Sequence, residues 1–189
     1  MKEVQKKLIK IALWTALAIL IVLSIWRHPA DWSEYFDFAG YAVTGGSLFA
    51  VLYEKCLWRI KLLHLLGIES TPVLAKHYIG TLRYTYDGMV GEKQMDIQVR
   101  QSLSTIHVDT TTDINISQTV CASLVKERGV FALYYTYVTN PQIAGHQDNP
   151  IQYGTCRLLI PNLGTESIRG TYWTTRATYG DITWAQEQH

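Results

Sequence analysis

The sequence predicts a membrane protein of two parts, an N-terminal two-helix transmembrane hairpin followed by an all-β antiparallel domain closed into an eight-stranded barrel. Three observations predict it. Residues 8–26 form an apolar run of 19 residues interrupted only by Lys10. A second apolar run covers residues 38–53. From His77 onward the hydrophobic period changes from helical to two, and β-branched and aromatic residues dominate. A chain of 189 residues suffices for one sizeable domain plus an anchor. The division expected is 1–66 for the hairpin and a juxtamembrane helix, and 77–189 for the barrel.

As a helix the first run would span roughly 28 Å, enough to cross the hydrocarbon of a bilayer. A signal peptide is the rival, since Lys2, Lys6 and Lys7 make a basic leader. The apolar stretch is too long for one, and Arg27-His28-Pro29 is a poor cleavage site. The second run is shorter, and along it Ala42, Gly46 and Ala50 recur every four residues. That spacing lets helix backbones approach closely in lipid, either to seat the second helix on the first or to form a membrane-assembly contact between chains. Residues 27–37 would connect the two, with Pro29 as a breaker and Trp32, Tyr35 and Phe36 at interfacial depth. Lys2, Lys6 and Lys7 precede the hairpin and Lys55, Arg59 and Lys61 follow it, so the positive-inside rule places both ends, and the barrel, in the cytoplasm. Residues 57–66 continue as a leucine-rich basic helical pattern, which Gly67 and Pro72 end.

The strands are expected at 78–86, 93–101, 104–111, 115–126, 130–139, 153–161, 167–175 and 177–184. Asp87-Gly88, Arg128-Gly129, Asn140-Pro141 and Asn162-Leu163-Gly164 supply turns. Short links imply a meander, and closure removes its exposed edges. Gly80, Leu82, Tyr84 and Tyr86 share one side of the first strand and Met95, Ile97 and Val99 one side of the second, so an apolar face packs inward. A barrel of this size either fills itself or holds one small ligand.

Charge and composition exclude several functions. Residues 1–76 carry 9 basic and 6 acidic side chains, +3, and residues 77–189 carry 8 and 10, −2, so the barrel is no generic binder of DNA or RNA and exerts no long-range pull on an anion. Cys56, Cys121 and Cys156 form no CxxC pair, and no His or Cys pair has zinc-site spacing, so neither a metal nor another cofactor is expected. Gly45-Gly46-Ser47 lacks the lysine of a phosphate loop. His107, His146 and Asp148 show no nucleophile–base spacing, and no enzyme is expected. The long connection 140–152 is the one loop unlike a tight turn, and around it lie Tyr135, Tyr137, Tyr153 and Arg157, with Tyr172, Trp173, Arg176 and Tyr179 from the last strands. Rings beside guanidinium groups suit a nucleotide, which stacks its bases and offers its phosphates.

The final third carries a longer pattern. Tyr135-x-Tyr137-x-x-Asn140-Pro141 is followed by Tyr153-Gly154-Thr155-x-x-Leu158, then by Ile168-x-Gly170-x-Tyr172-x-Thr174-x-Arg176-x-Thr178-x-Gly180-x-Ile182. In this order, and in its helices-then-strands layout, the chain resembles the bacterial antiphage effectors of cyclic-oligonucleotide signalling (CBASS) that join two transmembrane helices to a strand-rich domain. The resemblance implies that the barrel binds a cyclic dinucleotide, and that the hairpins then form a homo-oligomer in the inner membrane and disrupt it. Tyr137, Asn140, Arg157, Trp173, Arg176 and Thr178 are the recognition residues expected on that basis. The arginines would meet phosphates, the aromatics would stack on bases, and Asn140 and Thr178 would hydrogen-bond base or ribose. Alternation places Arg176 and Trp173 on opposite faces, so the set cannot all line one interior. Two other readings stand beside it: a membrane-tethered, lipocalin-like carrier with Leu82, Tyr84, Ile97, Val99, Leu133 and Tyr135 around a lipid, and a tether whose barrel binds a protein.

Overall fold

The computed structural model describes residues 2–29, 31–113, 115–141, 151–161 and 165–186. It divides into a helical unit, Met1–Thr71 with Ser102–Ser104, and a strand unit, Pro72–Gln101 with Thr105–His189.

In the helical unit, α1 (Lys2–Arg27) and α2 (Trp32–Lys55) pack on each other, with small residues at the seam. Ala42 and Gly46 of α2 are buried. A Cβ on Gly46 would lie 2.5 Å from the Ala12 carbonyl oxygen and 2.9 Å from the Ala16 Cβ, so only glycine permits this approach. Ala50, one turn further on, is half-buried. Helix α2 begins at Trp32, so the connection is shorter than the sequence suggests; the wet turn through Asp37 is already helical. Among the described residues, one helix, Glu3–Arg27, is both long and apolar enough to cross a membrane. Helix α2 has the length but is diluted by Gly40, Thr44, Gly45, Gly46 and Ser47. The outward sides of both helices are apolar, with Leu13, Trp14, Val22 and Ile25 on α1 and Phe36, Val43 and Leu48 on α2 exposed. Water is a poor solvent for such a surface.

The leucine-rich stretch after α2 is broken, not continuous. A 3₁₀ turn at Leu57–Arg59 is separated from α3 (Lys61–Leu65) by Ile60, whose backbone is extended. Gly67 N–H donates to His64 O and Ile68 N–H to Leu63 O, which closes α3 with a left-handed cap. The segment beyond is tied back to both long helices through Glu69, which is 4 % exposed. Its carboxylate accepts from Lys7 Nζ at 2.8 Å, Tyr53 Oη at 3.2 Å and the Thr71 N–H and hydroxyl.

The strand unit is a closed antiparallel barrel in sequence order: β1 (His77–Tyr86), β2 (Met89–Gln101), β3 (Ile106–Thr111), β4 (Asn115–Glu127), β5 (Val130–Pro141), β6 (Gln152–Ile160), β7 (Ser167–Thr174) and β8 (Tyr179–Gln186). Pairing of β1 with β8, from Tyr78–Gln186 to Thr85–Tyr179, completes it. Asp87 and Gly88, and likewise Arg128 and Gly129, all have positive φ, the backbone of two-residue hairpins whose twist matches the strands. Hence β2 starts four residues earlier than its pattern indicated. Strand β8 starts two later, because Ala177 at φ 56 lies in a turn closed by Thr174 N–H on Thr178 O. A bulge at Thr119/Cys121 frees the Thr119 hydroxyl, which accepts from Val108 N–H and donates to Val108 O, both at 2.8 Å, in place of ladder bonds. Tyr78, Val99, Val108, Leu133, Leu158, Ile168 and Trp184 fill one end of the interior.

Glu69 provides a pH test of the helical unit. Burial alone would raise its carboxyl, but the hydrogen bonds from Lys7 and Thr71 outweigh this and hold it below the ordinary range. The stabilisation is therefore complete above the unfolded carboxylate value and lost as pH falls through the lower folded one. Glu69→Gln should cost about 1–3 kcal/mol at pH 7 in thermal melts of the full-length protein in detergent micelles. The difference from wild type should shrink towards pH 3; a constant difference would contradict the ionised contact.

Candidate functional site: the polar mouth of the barrel

The two ends of the barrel interior differ in chemistry. Along each strand the inward positions follow alternation, and the apolar series breaks off towards the end formed by the β1–β2, β3–β4, β5–β6 and β7–β8 connections. On β5 the series runs Leu133, Tyr135, Tyr137, Thr139. On β3 it runs Ile106, Val108, Thr110, and on β4 it opens with Asn115, Ser117 and Thr119. These groups enclose a cavity of about 100 Å³, floored by Met95, Tyr135, Cys156 and Ile182 and walled by Lys93, Thr110, Asn115, Ser117, Thr139, Gln152 and Thr174.

Several of the polar atoms are satisfied within the protein. The hydroxyls of Ser117 and Thr139 meet at 2.7 Å, and Thr112 Oγ1 accepts from Asn115 N–H at 3.1 Å. Two others are not. Tyr172 Oη and Thr174 Oγ1, inward on β7, are shielded from solvent and have no hydrogen-bond partner among the described residues. Buried hydroxyls without partners are uncommon in folded proteins, and here one of them faces a cavity. Burial pushes the Tyr135, Tyr137 and Tyr172 phenols upward, so all stay neutral, and pushes the Cys156 thiol up to about 12. A thiol so displaced is no nucleophile at neutral pH. The mouth can therefore hydrogen-bond and stack.

The residues expected from sequence are distributed unevenly. Tyr137 lines the cavity, its ring lying over Gly154. Asn140, Arg176 and Thr178 sit at the rim of the same end: Asn140 is half-buried and pairs with Ile116, Thr178 O accepts from Thr174 N–H, and Arg176 Nη2 donates to Tyr86 Oη at 2.9 Å with its guanidinium 4.9 Å from that ring. Trp173 projects outward opposite Tyr179 and is half-exposed. Arg157 is on the outer wall. It donates to Glu127 Oε2 at 2.5 Å and to Tyr134 Oη at 2.8 Å, and Tyr134 in turn donates to Glu127. The Tyr134 and Arg157 hydrogen bonds lower the Glu127 carboxyl. The triad is closed on itself, and the structure does not bring it to the mouth.

Residues 142–150, including His146 and Asp148, lie outside the described residues. Sequence reasoning missed Lys93, Thr110, Ser117, Thr139, Gln152 and Thr174. The signal was present, since each continues the inward alternation of its own strand past the last apolar residue. The carrier reading finds little room: Ile97, Val99, Leu133 and Tyr135 are packed in a filled core with Trp184.

A helical hairpin followed by a closed barrel, filled at one end and open, polar and incompletely hydrogen-bonded at the other, defines a receptor-type barrel carried on an apolar helical unit. Comparison with known proteins agrees with that class. The family described as "Cap15, cyclic dinucleotide receptor domain" matches residues 70–186. CD-NTase-associated protein 15 of Staphylococcus schleiferi is 31 % identical over 175 residues, 93 % of each chain. The protein of the same name from Escherichia albertii is 22 % identical over 178 residues, 93 % of this chain and 90 % of that one. The chain belongs to the Cap15 family of CD-NTase-associated proteins, the CBASS effectors that the Tyr135–Ile182 pattern resembles.

The packing of Tyr137 is testable. A Cβ on Gly154 would meet the Tyr137 ring and hydroxyl. Gly154→Ala should therefore cost about 1–3 kcal/mol in barrel stability, followed by near-UV circular dichroism during thermal unfolding. An unchanged midpoint would show that the ring moves aside without loss.

Proposed function

We propose that the chain is an antiphage effector that binds a cyclic dinucleotide in the mouth of its barrel, and that its hairpins then self-associate in the bacterial inner membrane and disrupt it. The observation that carries the binding half is the Thr174 hydroxyl, which lines the polar cavity without a hydrogen-bond partner among the described residues, together with membership of a family described as a cyclic dinucleotide receptor. A cavity of about 100 Å³ is smaller than the several hundred that enclose a ligand of this size. The ligand thus seats one part inside and rests the remainder on the rim, or widens the mouth. Both give it a preference for one conformation, which any ligand-driven switch requires.

The membrane half rests on the apolar outer surface of α1 and α2 and on the basic residues before and after them. In this reading both helices cross, both termini and the barrel are cytoplasmic, and the chain is a multi-pass protein of the inner membrane. Ala42 and Gly46 hold each hairpin together, with Ala50 at the end of that seam, and the exposed apolar sides meet other copies. A single hairpin encloses no pore, so damage needs many.

Calorimetry of full-length protein in lipid nanodiscs tests the binding half. Cyclic di-AMP, cyclic di-GMP or cyclic GMP–AMP should give heat where a fatty acid gives none, and Arg176→Ala should weaken the bound species about tenfold without lowering Tm. Heat from the fatty acid alone would contradict the proposal.

A further inference from the structure

The barrel interior holds a charge that the fold among the described residues does not explain. Lys93 shares a face of β2 with Met95, Ile97 and Val99, so its side chain enters the barrel, where it is half-buried. Its Nζ lies 5.9 Å from the centroid of the Tyr84 ring, and its cross-strand neighbour is Leu82. The groups lining the cavity with it are hydroxyls, amides, phenols, a thiol and apolar side chains, with no carboxylate among them. Three cations on the outer wall are compensated: Arg83 by Glu92, Arg100 by Asp109 and Arg157 by Glu127. Among the described residues Lys93 has no such partner. An inward ammonium without a counter-charge opposes folding, and a methionine would fill the same space without that cost.

We infer that Lys93 takes a phosphate of the ligand, whose anion supplies the counter-charge that the barrel lacks. This rests on the mouth being the dinucleotide site, and it gives that site the inward cation that Arg157, consumed by Glu127 and Tyr134, does not provide. A cyclic dinucleotide carries two phosphodiester charges. Arg176 over Tyr86 stands at the rim for the second, and Tyr84 and Tyr86 are two residues apart on one side of β1, roughly 7 Å along the strand. The two cations are thus mounted on successive rings of a single strand, one inside the mouth and one at its edge.

The test uses full-length protein in lipid nanodiscs, titrated with cyclic di-AMP, cyclic di-GMP, cyclic GMP–AMP and inorganic phosphate. Lys93→Gln and Lys93→Met should each weaken the cyclic dinucleotide that wild type binds by about 10- to 100-fold. Lys93→Arg should stay within about threefold, and Tm should be unchanged or higher in Lys93→Met. Wild-type affinity in Lys93→Gln would overturn the role of Lys93 and leave the mouth as the site. A lowered Tm in both Lys93→Gln and Lys93→Met would assign Lys93 to the fold and overturn the inference. Tighter binding of inorganic phosphate than of any dinucleotide would make the site one for a free anion, also against it. No binding of any dinucleotide by wild type would remove the functional reading and this inference together.

Discussion

Pairing of β1 with β8 closes the sheet, and closure fixes an interior volume that the inward side chains of eight strands must occupy. At one end they do so with Tyr78 and Trp184, whose rings lie 5.5 Å apart, and with aliphatic groups from five other strands. The core is closely packed there. At the other end the inward positions carry hydroxyls, amides and an ammonium, which cannot close into a hydrocarbon core without losing hydration. The cavity is the consequence of that change of side-chain chemistry within a closed sheet. A rigid floor beneath a polar mouth is what a receptor needs to hold its polar groups in place before the ligand arrives.

Charge follows the same division. Three outward arginines are matched to carboxylates, Arg83, Arg100 and Arg157, and the barrel's −2 balance discourages polyanions. In the proposed reading, attraction for an anionic ligand is local to the mouth. In the helical unit the arrangement is reversed: charge is concentrated near the helix ends, and the long sides are apolar and exposed. Glu69 ties the start of α1, the end of α2 and the segment after α3 into one body.

The order and number of strands were legible because alternation, turn residues and short links all pointed the same way. Asp87-Gly88 and Arg128-Gly129 are turns of the expected kind. The helical unit was less legible. Polar residues at 32–37 disguised the first turns of α2, and Ile60 breaks a stretch whose composition reads as one helix. Small residues at 42 and 46 announced close packing, but a single sequence cannot distinguish a seat within the chain from a seat between chains; the approach to Ala12 and Ala16 shows the first. Of the residues expected to bind, Tyr137 lines the cavity because aromatic character and inward phase coincide there. Arg157 was placed in the set by chemistry alone, and its phase and its Glu127 partner put it on the wall. Lys93 was passed over because a lysine before an apolar run reads as a strand's wet end, although its phase is that of Met95.

Hydrogen–deuterium exchange of the full-length protein in lipid nanodiscs, with and without the cyclic dinucleotide it binds, tests most directly that the mouth is the receptor site. Protection is expected at the strand ends that form it, residues 82–93, 110–117, 135–140 and 172–178. Protection centred instead on the outer wall at residues 127–134 and 157–159, or absent from the barrel, would contradict it.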